Sequence, residues 1–271
     1  MKLKIGIVGC GAIGSSLAKE IKLKFRKEAD LVALFDIQPQ KSALLAKKIS
    51  RGQELCVKSL DDLIKRSDLV IEASSAKASG NIAYKSLLKG RKVMLMSIGG
   101  VAGGTKQLLA LASRFGGQVY LPSGAVSGLD GLKAANIAGV SKVLLVTRKN
   151  PAAFAGVKYV TNHFKLAGLK QDKVLFDGPA AQAVKYFPQN INVAAVLGLA
   201  GIGAAKTRVK IIASPKVKKN IHEVLIESAA ANIFTRTENI LHPDNPKTSY
   251  LAVLSAIATL KQILQPLKVG T

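Results

Sequence analysis

The chain has 271 residues, of which 48 % are hydrophobic and 21 % are charged, a balance typical of a globular protein with a buried core. No apolar stretch reaches the roughly 18–20 residues that a transmembrane helix needs. The only two cysteines, Cys10 and Cys56, exclude a disulfide framework and a C-x-x-C metal site. We therefore expect a cytoplasmic protein that binds no metal and spans no membrane.

The net charge is unusual. Forty Lys and Arg residues against 16 Asp and Glu residues give +24. Such a charge favours anionic partners, which include nucleic acids, membrane surfaces and small anions such as dinucleotides and dicarboxylates. The basic residues are spread along the chain, and the sequence has neither Trp nor a basic motif interleaved with aromatic residues. The pattern therefore does not favour a nucleic acid as the main partner.

The N-terminal segment predicts a dinucleotide site. Residues 2–8 form a β-rich run that leads into a G-x-G-x-x-G motif made by Gly9, Gly11 and Gly14. Gly9 permits a tight turn, Gly11 lets the backbone approach a pyrophosphate, and Gly14 lets helix and strand pack closely. Apolar residues at helical spacing follow from Ile13, so Ala12 and Ile13 open a helix whose N-terminus faces the phosphates.

An acidic residue at the expected distance supports this interpretation. A second apolar run, residues 31–35, ends at Asp36, which would accept hydrogen bonds from the ribose diol. Because a carboxylate repels a 2′-phosphate, Asp36 favours NAD over NADP, whereas the nearby Lys41 softens that preference. The sequence therefore predicts NAD or NADP as the cofactor and leaves dual use open. The alternative is a Rossmann-like fold whose glycines serve packing alone.

The alternation of strands and helices continues to residue 122. Strands are predicted at 69–73, 92–97 and 119–121, and helices at 43–49, after the cap Ser59, at 81–88 with Gly90 past its end, and at 105–115. This order predicts an α/β fold with a Rossmann-type, doubly wound parallel sheet.

The second half of the chain has a different pattern. Strands are predicted at 140–147, 208–213, 221–228 and 233–234, helices at 180–187 and 192–202, and a turn at Asp177-Gly178-Pro179. Neighbouring strands with few helices between them predict a smaller α+β domain with a mixed or antiparallel sheet. Asn245 and Pro246 form a capping pair that predicts a final helix over 245–265. We expect domains at 1–122 and 123–244, with the final helix packing back on the first.

Five blocks of sequence resemble the L-aspartate dehydrogenase family. Besides the glycine motif they are the segments S-G-A at 123–125, F-P-Q-N-I-N-V-A-A at 187–195, N-I-H-E at 220–223 and N-P-K-T-S-Y-L-A at 245–252. The resemblance implies a reversible, NAD(P)-dependent oxidative deamination of L-aspartate to oxaloacetate and ammonia through iminoaspartate. It also implies a role in supplying iminoaspartate for NAD synthesis, and a homodimer built partly on the sheet of the smaller domain.

The resemblance assigns roles to three further residues. The catalytic histidine of the family falls on His222, and two cofactor contacts fall on Ala125 and Asn192. A histidine on an apolar strand face is by itself more often structural, but imine hydrolysis needs a group that exchanges protons near neutral pH. Asn192 could instead cap the helix that follows it. Lys247 could bind a substrate carboxylate, or its side chain could simply be solvated.

Two other functions remain open at this point. One is another Rossmann reductase of a related acid, similar to dihydrodipicolinate reductase or homoserine dehydrogenase. The other is a non-enzymatic nucleotide- or nucleic-acid-binding protein that uses the positive charge. The single histidine in N-I-H-E does not resemble the doubled histidine of the first of these reductases.

Overall fold

The computed structural model describes residues 1–50, 54–187, 192–243 and 245–270. The chain divides into two compact units, which comprise residues 1–122 with 253–269, and residues 123–252 with 270–271.

The first unit is a parallel sheet with connecting helices. Its strands are β1 (Leu3–Val8), β2 (Ala29–Phe35), β3 (Leu69–Glu72), β4 (Lys92–Leu95) and β5 (Gln118–Tyr120). Its helices are α1 (Ala12–Leu23), α2 (Pro39–Ser50), α3 (Leu60–Arg66), α4 (Ala76–Leu88) and α5 (Thr105–Phe115), with a 3₁₀ turn at Ile98–Gly100. The strand order is β2-β1-β3-β4-β5 and all four pairings are parallel. The predicted doubly wound sheet is confirmed.

Local signals set the ends of several helices as predicted. The Ser59 hydroxyl accepts a hydrogen bond from Asp62 N at 3.1 Å and caps α3. Gly90, just past α4, has a φ of +65°, and its N–H donates to Leu87 O at 2.9 Å. Helix α4 begins five residues earlier than predicted, at Ala76.

The second unit contains a mixed sheet with helices. In chain order its elements are α6 (Leu129–Ile137), β6 (Val140–Lys149), a 3₁₀ turn (Pro151–Phe154), α7 (Lys158–His163), β7 (Lys173–Pro179), α8 (Ala180–Tyr186), α9 (Asn192–Ala200), β8 (Arg208–Ala213), β9 (Asn220–Ser228), β10 (Asn232–Asn239), β11 (Leu241–His242) and β12 (Asn245–Ser249). The strand order is β10-β9-β6-β8-β7, in which only β6 and β8 are parallel. The predicted mixed sheet is confirmed.

Two predictions in this half are wrong. Asp177, Gly178 and Pro179 do not form a turn but the end of the edge strand β7, where Asp177 pairs with Lys210 of β8. The predicted helix 245–265 begins only at Tyr250, because residues 245–249 pair with β11. In both places strand pairing overrides a turn or cap signal in the local sequence.

The last helix crosses the boundary between the units. Helix α10 (Tyr250–Leu264) starts in the second unit, and from Val253 onward the chain belongs to the first. Ala256 and Leu260 are fully buried in the hydrophobic core of the first unit, together with residues of β1, α1 and β3. The second unit has its own core beneath its mixed sheet.

Candidate functional site

The glycine-rich turn connects β1 to α1 in the first unit. Gly9 has a φ of +96°, and a Cβ at this position would collide with the carbonyl oxygen of Ala73. A Cβ at Gly14 would collide with the carbonyl oxygen of Gly9, so both positions require glycine. A Cβ at Gly11 would meet no described atom within 4 Å. The backbone is therefore open at Gly11, where a pyrophosphate would approach.

The N-terminus of α1 supplies hydrogen-bond donors beside this opening. Ala12 and Ile13 are its first two residues, and its backbone ladder begins with the bond from Ser15 N to Gly11 O at 2.8 Å. The N–H groups that precede this bond point toward the turn, at the positive end of the helix dipole. Because the N-cap residue is Gly11, no capping side chain covers them. This geometry suits an anion.

Asp36 is joined to the same turn. Its Oδ2 accepts a hydrogen bond from Cys10 N at 2.8 Å, and its Oδ1 accepts one from Gln38 N at 2.9 Å. Each carboxylate oxygen has a second lone pair, so this structural role leaves acceptors for a ribose diol. The neighbouring Cys10 thiol stays protonated at neutral pH, because burial and then the charge of Asp36 raise its pKa to about 12.

These residues line one cleft of the first unit. It has a volume of 670 Å³, and its walls include Gly9, Gly11, Asp36 and the loop after β3. Lys41, Lys58 and Lys85 also line it, and Lys85 is paired with Asp61 at 2.9 Å. The open backbone at Gly11, the helix N-terminus and the basic wall fit a dinucleotide.

A buried carboxylate, which sequence reasoning missed, links two loops beside this cleft. Glu72, at the end of β3, has no exposed surface. Its Oε1 accepts hydrogen bonds from the N–H and hydroxyl of Ser74 at 2.7 and 2.9 Å, and from the Ser97 hydroxyl at 2.9 Å. Its Oε2 accepts one from Ser97 N at 2.9 Å. Four donors thus stabilise the charge and fix the loops after β3 and β4.

His222 lies on β9 in the second unit. It shares a buried face with Val224 and Ile226, as strand alternation predicts. Its Nδ1 lies 3.0 Å from the hydroxyl oxygen of Thr147, the residue directly opposite on β6. Burial, and secondarily the charge of Lys149, lower the pKa of His222 to about 3. The imidazole is therefore neutral at neutral pH.

The loop with Ala125 is fixed beside the histidine strand. Ala125 is buried, and its carbonyl accepts a hydrogen bond from Asn239 Nδ2 of β10 at 3.0 Å. The hydroxyls of Ser127 and Thr237 lie 3.0 Å apart, and Thr237 pairs directly with His222. The structure therefore bonds the Ala125 loop to β10, which is the strand that pairs with the His222 strand, β9.

Asn192 is the first residue of α9, and its side chain is exposed. Residues 188–191, which form the middle of the F-P-Q-N-I-N block, lie outside the described residues, and so does the Lys247 side chain. The glycine turn and Asp36 belong to the first unit, whereas His222, Ala125 and Asn192 belong to the second.

Comparisons with known proteins identify the family. Residues 130–263 match the family model described as aspartate dehydrogenase, C-terminal, and residues 9–122 match that of the homoserine dehydrogenase NAD binding domain. An L-aspartate dehydrogenase of Methanosarcina acetivorans is 45 % identical over 99 % of this chain and 100 % of its own. The chain belongs to the L-aspartate dehydrogenase family.

Solved structures agree with this assignment. The aspartate dehydrogenase of Thermotoga maritima superposes with a TM-score of 0.75 at 26 % identity, and the match covers 100 % of both chains. A hyperthermophilic archaeal homoserine dehydrogenase in complex with NADPH has a TM-score of 0.59 at 14 % identity, covers 99 % of this chain and 100 % of its own, and shares the fold. These matches confirm the predicted family and fold class. The match of residues 9–122 to an NAD binding domain confirms NAD or NADP as the cofactor.

The described residues contain neither a helix that could span a membrane nor a side-chain cluster that could hold a metal ion. Of the helices in this part of the chain, none is long and apolar enough to cross a membrane. His, Cys, Asp and Glu residues in the same part form no group of three that could hold a metal ion.

Proposed function

We propose that this chain catalyses the reversible oxidative deamination of L-aspartate to oxaloacetate and ammonia through iminoaspartate, with NAD or NADP as hydride acceptor. The assignment of L-aspartate as the substrate rests on the 45 % identity, over nearly the whole chain, to an L-aspartate dehydrogenase. The cleft of the first unit and the buried histidine of the second supply the two groups of residues that this reaction needs.

The first unit holds the cofactor. The N–H groups at Ala12 and Ile13 bind the pyrophosphate at the open backbone of Gly11, and Asp36 binds the ribose diol. When bound, the nicotinamide supplies the chemistry of accepting a hydride from the substrate Cα. In this proposal Ala125 and Asn192 also contact the cofactor. The side-chain amide of Asn192 offers a donor and an acceptor, which match those of a carboxamide.

His222 handles the proton in the hydrolytic half of the reaction. Its neutral imidazole removes a proton from the water that attacks the iminium carbon, and returns a proton as ammonia leaves. The Thr147 hydroxyl at Nδ1 fixes the orientation of the ring and leaves Nε2 for this exchange. A neutral imidazole is the state that can accept the proton.

The wider role follows from the product. Iminoaspartate is reactive, so an enzyme that forms it in the cytoplasm can supply it for the synthesis of quinolinate and hence of NAD.

We also infer a homodimer, because the face of the mixed sheet opposite His222 carries apolar residues: Phe234 is 63 % exposed, and Leu225 and Val146 are half-buried. Light scattering of wild type and of Phe234→Lys, with a smaller mass for the variant, tests this arrangement.

The activity is tested by the absorbance of the reduced nicotinamide. Wild type and His222→Ala are assayed with NAD and NADP against L-aspartate, L-glutamate, L-alanine and L-homoserine. We expect turnover on aspartate alone, lost by about 10²–10⁴-fold in the variant while nucleotide binding persists. Turnover on homoserine would favour the related reductase, and nucleotide binding without turnover would refute the substrate assignment.

A further inference from the structure

One face of the mixed sheet carries apolar residues at one end and polar residues at the other. Strand register groups the side chains of this face into rows. The apolar end consists of the rows Ile233–Ile226–Val143 and Thr235–Val224–Leu145–Val209. The next row is Thr237–His222–Thr147–Ile211, and the last pairs Asn239 with Asn220 and Lys149 with Ala213. The change from apolar to polar therefore occurs at His222.

The side chains at the polar end are buried. Thr147, His222 and Asn239 are 4 %, 3 % and 2 % exposed, respectively. Polar groups at such positions are unfavourable for folding unless they are hydrogen-bonded, and Thr147 and His222 pair with each other here. Asn220 extends the patch toward Ser249, whose hydroxyl lies 3.5 Å from Asn220 Nδ2.

Lys149 brings a positive charge to the patch. It lies two residues beyond Thr147 on β6 and therefore on the same face as His222. After burial, its charge is the second cause of the lowered pKa of His222. Burial in turn lowers the pKa of Lys149 to about 8.

The strand carboxylates lie on the opposite face of the sheet. On that face Glu223 forms salt bridges with Arg148 and Arg236, Glu227 forms one with Lys142, and Glu238 forms one with Arg236. Asp177 of β7 is paired with Arg208 at 2.9 Å on that same face. None of the carboxylates of these strands therefore lies on the face that carries His222 and Lys149.

Asn239 adds a buried hydrogen-bond acceptor to the positive charge of Lys149. Its Nδ2 donates to the carbonyl of Ala125, whereas its Oδ1 is buried and has no hydrogen-bond partner among the described residues. A buried acceptor left in this state is rare in a folded protein and suits an N–H group of a ligand. Asn239 is on β10 and Lys149 is on β6, the two strands on either side of β9, so the patch offers a cation and an acceptor to one small molecule.

We propose that Lys149 binds a carboxylate of the substrate, while Asn239 Oδ1 accepts a hydrogen bond from the substrate nitrogen. This inference rests on the proposed function, because it assigns residues to the substrate of that reaction. A carboxylate at Lys149 also offsets the charge that faces His222, which restores basicity to the imidazole when substrate is bound.

The test measures binding of succinate, a dicarboxylate without an amine, to the protein saturated with NADH. The variants are Lys149→Met and Lys149→Gln, and the matched control is Lys142→Met, which removes an exposed lysine from the same strand. We expect succinate affinity to fall about ten- to a hundredfold in both Lys149 variants and to stay unchanged in the control. KM for L-aspartate should rise by a similar factor, with a smaller change in kcat and none in the NADH dissociation constant.

Succinate affinity and KM within threefold of wild type in either folded Lys149 variant would overturn the proposal. The glutamine variant, which keeps a polar group, serves if the methionine variant fails to fold. The two proposals fail separately. Wild type without aspartate turnover refutes the proposed function, whereas Lys149-dependent succinate binding would still support a carboxylate site. Full aspartate turnover in Lys149→Met refutes only the role of the lysine.

Discussion

Mild acid is predicted to destabilise the protein through His222. Its pKa is lowered from 6.5 to about 3 in the folded chain, so between these values the unfolded chain binds a proton that the folded chain does not. Folded-state stability is therefore fully present above pH 6.5 and falls as the pH drops. At pH 5 the unfolded imidazole is almost fully protonated, and the loss relative to pH 7.5 is about 2 kcal/mol.

The assay is urea unfolding at pH 7.5 and pH 5, followed by circular dichroism. The loss of unfolding free energy is compared between wild type and His222→Gln, which cannot take up the proton. His163→Gln, in an exposed histidine outside the sheet, is the control and should behave as wild type. Equal losses in wild type and His222→Gln would refute the reasoning, because the imidazole would then be protonated to the same extent in both states.

Three further predictions concern His222 and the cleft of the first unit. Thr147→Val leaves the buried Nδ1 of His222 without its partner at 3.0 Å, so the unfolding free energy should fall by about 1–3 kcal/mol and kcat by about tenfold or more. The control is Thr259→Val, which removes a hydroxyl from α10 and should change neither kcat nor KM. Asp36→Ser removes the charge that repels a 2′-phosphate, so the NADP-to-NAD ratio of kcat/KM should rise about tenfold or more, and an unchanged ratio would contradict its role. Glu72→Gln presents an amide donor to the donors of Ser74 and Ser97, so the free energy of unfolding in urea should fall by about 2–4 kcal/mol. The control Glu227→Gln, at an exposed salt bridge, should lower it by less than about 1 kcal/mol.

The fold of the first unit could be predicted because its signals are local. The buried parallel strands are short apolar runs, and Gly9, Ser59 and Gly90 mark turns and helix ends through their own backbone or side-chain chemistry. Asp177-Gly178-Pro179 and Asn245-Pro246 carry equally strong local signals, yet both segments are strands. Their pairing with β8 and β11 depends on residues distant in sequence, which a local pattern does not contain.

The same distinction divides the candidate site. The glycine turn and Asp36 lie in one continuous motif, and His222 was found through a block that resembles a known family. Thr147, Lys149 and Asn239 were missed because only the register of β6, β9 and β10 places them beside His222. Glu72 could have been found, since a carboxyl group that ends an otherwise apolar parallel strand must have buried partners.

The assignment of Lys149 has a measurable consequence in proton uptake. Burial lowers its pKa to about 8, so at pH 8 roughly half of the molecules carry an uncharged amine. A bound carboxylate stabilises the ammonium form and raises that pKa, so succinate binding should take up about half a proton per site at pH 8 and fewer at pH 6.5.

Calorimetry of succinate binding in buffers of different ionisation enthalpy measures this uptake directly. The slope of observed enthalpy against buffer enthalpy should be positive at pH 8 in wild type and near zero in Lys149→Met. Uptake that persists in Lys149→Met would assign the proton to His222, the other base on this face, whose pKa a bound carboxylate also raises. Because that pKa begins near 3, the contribution of His222 should grow as the pH falls, whereas that of Lys149 should shrink, so the pH trend of the slope distinguishes the two bases.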